Sequence, residues 1–347
     1  MKIAVLAGGL SPERDVSLTS GSLIAKALRE RGHKVVLVDL FFGIDLDGTS
    51  AEDVFDSEQS DVFSVGEQIP DIEALRRENA GRALIGEGVL ELCRCADIAF
   101  FALHGDIGEN GQLQATFDNY KIKYTGSGYV GSLLAMDKDI SKKMFATGGV
   151  NTPEWVYVQK GADAMRVIKE KIGFPCVIKP CSCGSSVGIS MAANESELTE
   201  ALRFAFAYED GILAERRIIG REFTVGVLDG RALPAVEIIP KSGFYDYKNK
   251  YQSGLTTEIC PAHISDALYG KMAKMALDAF ELLRLDGYAR FDFLVDGDDE
   301  IYCLEGNTLP GMTPTSLLPQ MAAVVGMNYG ELCEKIIELG LAKYEKL

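Results

Sequence analysis

The chain has 347 residues, 47% of them hydrophobic and 25% charged, with a formal net charge of −16. It is long enough for two or three domains with full cores, and its balance is that of a soluble globular protein. So acidic a chain lacks the basic footprint of a nucleic-acid or anionic-membrane partner, and no apolar run reaches the roughly 18 residues of a membrane span.

Lys2 to Ala7 reads as a short buried strand, followed by a turn at Gly8-Gly9. Ser11 and Pro12 open a helix whose apolar positions 16, 23, 24, 27 and 28 carry it to Gly32, and Lys34 to Asp39 is the next strand. This βαβ unit implies a parallel sheet, while the turn lacks the G-x-G-x-x-G spacing of a dinucleotide site. Residues 41 to 88 are acidic and weakly periodic, as in a surface excursion. The strand Ala96 to Leu103 runs into the glycine-rich stretch His104 to Gly111, where open α/β sheets place ligands, and a helix follows from about 111 to 120. Lys123 to Gly128 looks like a domain exit. A helix from about 129 to 147 carries Met136-Asp-Lys138, and Asn151-Thr-Pro153 opens a second domain. Strands are expected near 154 to 158, 174 to 179, 187 to 192 and 211 to 216, with helices near 162 to 172 and 195 to 208.

Several segments carry chemistry. Between two of these strands, Lys179 precedes the small-residue loop Pro180 to Gly188, which contains Gly184, Ser185 and Ser186. Such a loop frees backbone N–H groups and hydroxyls to wrap phosphates, and a lysine ending an apolar strand is costly without an anion. Gly211 to Val227 reads as strand, loop and strand; carboxylates at Glu215 and Glu222 could meet an adenine amine and ribose hydroxyls, or simply be solvated. Phe244 to Gly254 mixes aromatics with Lys248, Lys250 and Tyr251, as lids do and as irregular packed loops also do. Tyr288 to Val295 and Glu300 to Leu304 are expected to pair about the turn Asp296 to Asp299. Position 290 then lies opposite 305 and 292 opposite 303, so that Arg290, Asp292, Glu305 and Asn307 share one face. Two carboxylates and an amide suit magnesium held against a nucleotide. Gly306 to Leu317 bends before an apolar helix, and its N–H groups with the Ser316 hydroxyl form a natural carboxylate or oxyanion site.

In this order the segments resemble the ATP-grasp superfamily and, within it, the D-alanine:D-alanine ligase family. The marks are GGLSPERDVSLTSG (8–21), ALHGDIGENG (102–111), MDK (136–138), VIKPCSCGSSVG (177–188), ILAERRIIGREFTVGV (212–227), FYDYKNKY (244–251), ARFDF (289–293) and CLEGNTLPGMTPTSL (303–317). The resemblance implies a three-domain α/β protein with a Rossmann-like N-terminal substrate domain (1–126), a central ATP-grasp domain (127–214) and a C-terminal one with metal site and lid (215–347). It implies ATP and two magnesium or manganese ions as cofactors, D-alanine as substrate, a homodimer, a cytoplasmic location, and neither nucleic acid nor membrane as partner. Lys138 and Lys179 would neutralise phosphates, Ser186 and Lys250 would bind ATP beside them, Glu215 and the Ile218 backbone would read adenine, and Glu222 the ribose. Asp292, Glu305 and Asn307 would hold metal. Glu13 would take the ammonium of the first D-alanine, with Ser185 and Tyr251 linking it to the lid and His104 nearby. Arg290 and the Gly311 N–H would stabilise a tetrahedral oxyanion, and Ser316 with the Leu317 N–H would take the second substrate's carboxylate.

Cys181 and Cys183 stand where relatives carry polar or charged residues, and Arg216 where a lysine is common. Two thiols beside Lys179 lead us to expect inactivation by oxidation; most of the eight cysteines read as buried thiols. Ligation of D-alanine to D-lactate or D-serine is the nearest alternative, against which Tyr251 and the run Glu222 to Val225 point to the dipeptide-making branch. A regulator that had lost catalysis should lack one of Arg290, Asp292, Glu305 and Asn307, and all four are present.

Overall fold

A computed structural model describes residues 1–46, 48, 50–56, 71–78, 83–161, 163–184, 187–241 and 254–345. Its strands are β1 (Lys2–Ala7), β2 (Lys34–Asp39), β3 (Ile98–Phe101), β4 (Trp155–Gln159), β5 (Cys176–Pro180), β6 (Ser190–Ala192), β7 (Gly211–Arg216), β8 (Gly220–Leu228), β9 (Arg231–Ala232), β10 (Val236–Pro240), β11 (Thr256–Ile259), β12 (Tyr288–Asp296) and β13 (Ile301–Asn307). Among the described residues they form three sheets, in the orders β2-β1-β3, β4-β7-β5-β6 and β11-β10-β8-β12-β13, with β9 paired to β8.

The first sheet is parallel, as the βαβ pattern requires. Every residue from Ile3 to Ala7 is buried, because helices cover β1 and leave no solvent face to alternate with. The helix Arg14–Glu30 is pinned over it by Ser17, whose hydroxyl accepts from the Gly8 N–H at 2.8 Å and donates to Ala102 O at 2.6 Å. Gly21 permits this approach, since a Cβ there would lie 2.6 Å from Ala7 Cβ. Arg14 pairs with Asp39 at the end of β2 and donates to Gly9 O at 2.9 Å. Together these contacts fix the Gly8-Gly9 turn and the helix start beside it, where Glu13 stands.

The expected helix from 129 to 147 is two helices, Tyr129–Met136 and Lys138–Gly148. Asp137 makes the break: it adopts extended backbone angles, and its carboxylate accepts from the Ile140 N–H as an N-cap. Lys138 thus begins a helix rather than lying inside one.

Strands β4 to β7 are antiparallel, with a core that includes Ile168, Ile178, Leu198 and Ile212. The largest sheet is covered on both faces. The helix Asp266–Leu282 packs Met272, Ala276 and Ala279 against Phe223, Phe291 and Phe293. On the other face the helix Leu317–Val324 lies over Gly226, whose N–H meets Met321 Sδ at 3.1 Å; a Cβ on Gly226 would sit 2.7 Å from Leu318. That second face shares a core with the N-terminal sheet, bringing the loops after β3 and β13 together.

The β12–β13 register departs from the expected one. Arg290 lies opposite Asn307 and Asp292 opposite Glu305, with a bulge between these pairs and the pair Phe293–Cys303. The extra residue on β13 lets Cys303 and Glu305, two apart in sequence, face opposite sides. Cys303 enters the core and Glu305 joins the polar face. A regular hairpin in the expected register would have set the thiol opposite Asp292.

Candidate active site

Two cavities meet at this hairpin. The first, about 480 Å³, is lined among others by Glu13, His104, Glu109, Gly184, Arg290, Asn307, Gly311, Ser316 and Leu317. The second, about 510 Å³, is lined among others by Lys138, Lys179, Glu215, Ile218, Glu222, Asp292 and Glu305. Alternate residues of each hairpin strand thus serve adjoining chambers. Ser185, Ser186, Lys250 and Tyr251, with the lid segment 244 to 251, lie outside the described residues.

Asp292 organises the shared wall. Its Oδ1 accepts from Arg290 Nε at 2.9 Å and Thr224 Oγ1 at 2.7 Å, and its Oδ2 from Arg290 Nη2 at 2.9 Å and Asn307 Nδ2 at 3.0 Å. Glu305 pairs with Lys138 at 3.3 Å. Burial works against the charge of Lys138, but the Glu305 carboxylate outweighs it and holds the ammonium above its usual pKa. Two carboxylates and an amide form a hard-oxygen set, and a divalent cation would take over the charge balance that Arg290 and Lys138 now supply. The donors therefore fit magnesium or manganese. Among the described residues no three His, Cys, Asp or Glu side chains cluster as a metal cage, so phosphate and water oxygens would complete such a site.

Glu215 is buried between two lysines, 2.7 Å from Lys179 and 3.1 Å from Lys142. Burial alone would raise its pKa, but the two ammoniums hold it below the carboxylate range. Lys142 has no exposed side-chain surface; it donates to Thr152 Oγ1 at 2.6 Å and Pro153 O at 3.1 Å. Burial, aided by the charge of Lys179 and opposed by Glu215, pushes its pKa down to about 8. Lys142 was not singled out in the sequence. The available signal is its spacing of four from Lys138, which puts both on one helix face.

In the first cavity, Glu13 occupies the N-cap position of its helix and is 9% exposed. Its Oε2 would lie 2.8 Å from a Cβ on Gly184 and 3.4 Å from one on Gly105, so the phosphate-type loop and the loop after β3 converge on this carboxylate. The His104 ring nitrogen Nδ1 is 2.9 Å from Leu309 O. A carbonyl can only accept, so Nδ1 carries a proton and donates it. Glu109, also unforeseen, accepts from Gly105 N–H at 2.7 Å and Leu309 N–H at 3.1 Å. Burial and the nearby Glu13 raise its pKa. His104 and Glu109 thereby grip both backbone groups of Leu309. Ser316 precedes the helix Leu317–Val324, and its Oγ accepts from the Thr313 N–H at 3.1 Å; a Cβ on Gly311 would lie 3.0 Å from that oxygen.

The thiols do not suit the oxidation expectation. All eight cysteines are unbridged. Burial drives the Cys181 thiol far above its usual pKa and pushes Cys183 up to about 12, with Glu209 adding to both. Neither supplies a thiolate near neutrality.

Family models described as D-ala D-ala ligase N-terminus and C-terminus match residues 2–127 and 144–338. The chain is 44% identical over 356 residues to a D-alanine–D-alanine ligase of Pediococcus pentosaceus, covering 100% of this chain and 99% of that one. It is 40% identical over 349 residues to that of Lacticaseibacillus casei, covering 99% and 97%. Among solved structures, the Bacillus anthracis D-alanine–D-alanine ligase superposes with a TM-score of 0.78 at 31% identity, covering 100% and 99%. The same enzyme complexed with ATP gives 0.76 at 29% identity, again covering 100% and 99%. The chain belongs to the D-alanine–D-alanine ligase family and has its ATP-grasp architecture.

Proposed function

We propose that this protein joins two molecules of D-alanine to D-alanyl-D-alanine, with ATP cleaved to ADP and phosphate, as a step toward peptidoglycan precursors. The observation that carries it is the hairpin shared by two cavities: Asp292 and Glu305 line the lysine-rich chamber, Arg290 and Asn307 the one holding Glu13. A nucleotide in the lysine-rich chamber can present its terminal phosphate to a carboxylate in the chamber that holds Glu13.

Glu13 takes the ammonium of the first D-alanine and aims its carboxylate at the γ-phosphorus. Lys138 and Lys179, now paired with Glu305 and Glu215, turn to the phosphates, with Ser186 and Lys250 assigned beside them; Glu215, Ile218 and Glu222 are assigned to adenosine. Asp292, Glu305 and Asn307 would hold two magnesium ions, whose positive charge would offset that of the phosphoryl oxygens. The acyl phosphate is attacked by the amine of a second D-alanine, whose carboxylate lies at Ser316 and the Leu317 N–H. Arg290 and the Gly311 N–H stabilise the oxyanion, a donor whose loss costs roughly 3 kcal/mol. Ser185 and Tyr251 connect Glu13 to the lid. The division into 1–126, 127–214 and 215–347, the homodimer and the cytoplasmic location belong to the same proposal and rest on the resemblance.

Phosphate release is measured with D-alanine alone, with added D-lactate and with added D-serine, and products are identified by mass spectrometry. D-Alanyl-D-alanine as the main product in all three is expected. A dominant mixed product reassigns the second substrate, and no turnover with any pair refutes the proposal.

A further inference from the structure

Glu209, between the helix Glu195–Ala205 and β7, is outside the machinery described above, yet its carboxylate gathers the start of the loop that leaves β5. It accepts from the Cys181 N–H at 2.9 Å, the Ser182 N–H at 3.1 Å, the Ser182 hydroxyl at 2.5 Å and the Cys183 thiol at 3.3 Å. Lys138 holds two of the same three residues by their carbonyls: its N–H donates to Cys181 O at 3.1 Å and its Nζ to Cys183 O at 2.9 Å. The stem is thus gripped from two sides, and the next residue, Gly184, is the one that meets Glu13.

We propose that Glu209 is a positioning residue that fixes the stem of the phosphate loop against Lys138 and also shields the Cys183 thiol from electrophiles. Only a carboxylate offers enough lone pairs for four donors at once; an amide at this position brings a donor toward other donors. The stem connects Lys179, in the nucleotide cavity, to Gly184, in the substrate cavity. A loosened stem therefore lets the phosphate-binding groups drift relative to Lys138, which makes ATP affinity the sensitive quantity. The thiol gives an independent report, because its hydrogen bond and the neighbouring negative charge both disfavour the reactive thiolate.

The inference rests on the proposed ATP site, and its test needs no ligation product. Binding of ATP with magnesium is measured by calorimetry, and alkylation of Cys183 by iodoacetamide is followed by peptide mass spectrometry, in wild type, Glu209→Ala, Glu209→Gln and Ser182→Ala. Losing a charge-assisted grip in Glu209→Ala should weaken ATP binding about tenfold and speed Cys183 alkylation by a similar factor. Glu209→Gln should fall between, and Ser182→Ala should move both by about twofold. Unchanged affinity in a normally folded Glu209→Ala overturns the positioning role even if the thiol reacts faster. If that variant does not fold, unchanged values in the other two overturn it. A wild type that binds no ATP refutes the proposed function instead, while the alkylation series still tests the shield.

Discussion

Replacing Lys142 by Met removes a buried ammonium while keeping an unbranched side chain of similar length. With a pKa of about 8, Lys142 is roughly nine-tenths charged at pH 7 and one-tenth charged at pH 9. The unfolded chain keeps that proton up to the ordinary lysine value of 10.5. Between these limits the unfolded state binds more protons, so the Lys142 contribution to stability rises with pH, by about 1 kcal/mol from pH 7 to 9. Buried cysteines and tyrosines with raised pKa values act in the opposite direction, so the prediction is for the difference between wild type and variant. Trp155, the chain's single tryptophan, is a local reporter: Lys142 Nζ lies 5.3 Å from its ring centroid and Asp139 accepts its indole N–H at 3.0 Å. Wild-type fluorescence should show an inflection near pH 8 that Lys142→Met lacks. In urea unfolding, the stability of wild type minus that of the variant should rise from pH 7 to pH 9. Superposable fluorescence titrations, or a difference that stays constant or falls, would refute the argument.

Glu109→Gln puts an amide NH2 against the Gly105 or Leu309 N–H, at a cost of about 1–3 kcal/mol. It should lower kcat/KM for D-alanine with little change in KM for ATP, as steady-state kinetics will show. Gly184→Ala sets a Cβ 2.8 Å from Glu13 Oε2 and should raise KM for the first D-alanine several-fold; an unchanged value would mean that Glu13 does not hold the substrate. Because Cys181 and Cys183 are held as thiols, turnover should survive peroxide treatment that oxidises an exposed low-pKa thiol, and parallel loss of activity and of Cys183 thiol would contradict this.

Strands β1 and β2 were legible to the residue because each is an unbroken apolar run between turn formers. The break at Asp137 was not, since the apolar pattern continues through it and only the cap geometry reveals two helices. The hairpin register was missed because a bulge leaves no local sequence mark, although the polar face itself was read correctly. Site residues inside motifs were visible: Glu13, His104, Arg290, Asn307, Gly311 and Ser316 line one cavity although they are scattered over 300 positions. Lys142, Glu109 and Glu209 were not, because a charged residue on a helix or in the loop after one reads as solvated until its partners, some of them far along the chain, are known. Glu109, for instance, is 200 residues from Leu309.

The central claim is that the D-alanine carboxylate attacks ATP across the Arg290–Asp292 wall. D-Alanine labelled with oxygen-18 in its carboxylate, incubated with ATP, magnesium and the protein, tests it directly. The account predicts one labelled oxygen in each phosphate released, together with labelled D-alanyl-D-alanine. Unlabelled phosphate accompanying dipeptide formation would contradict it.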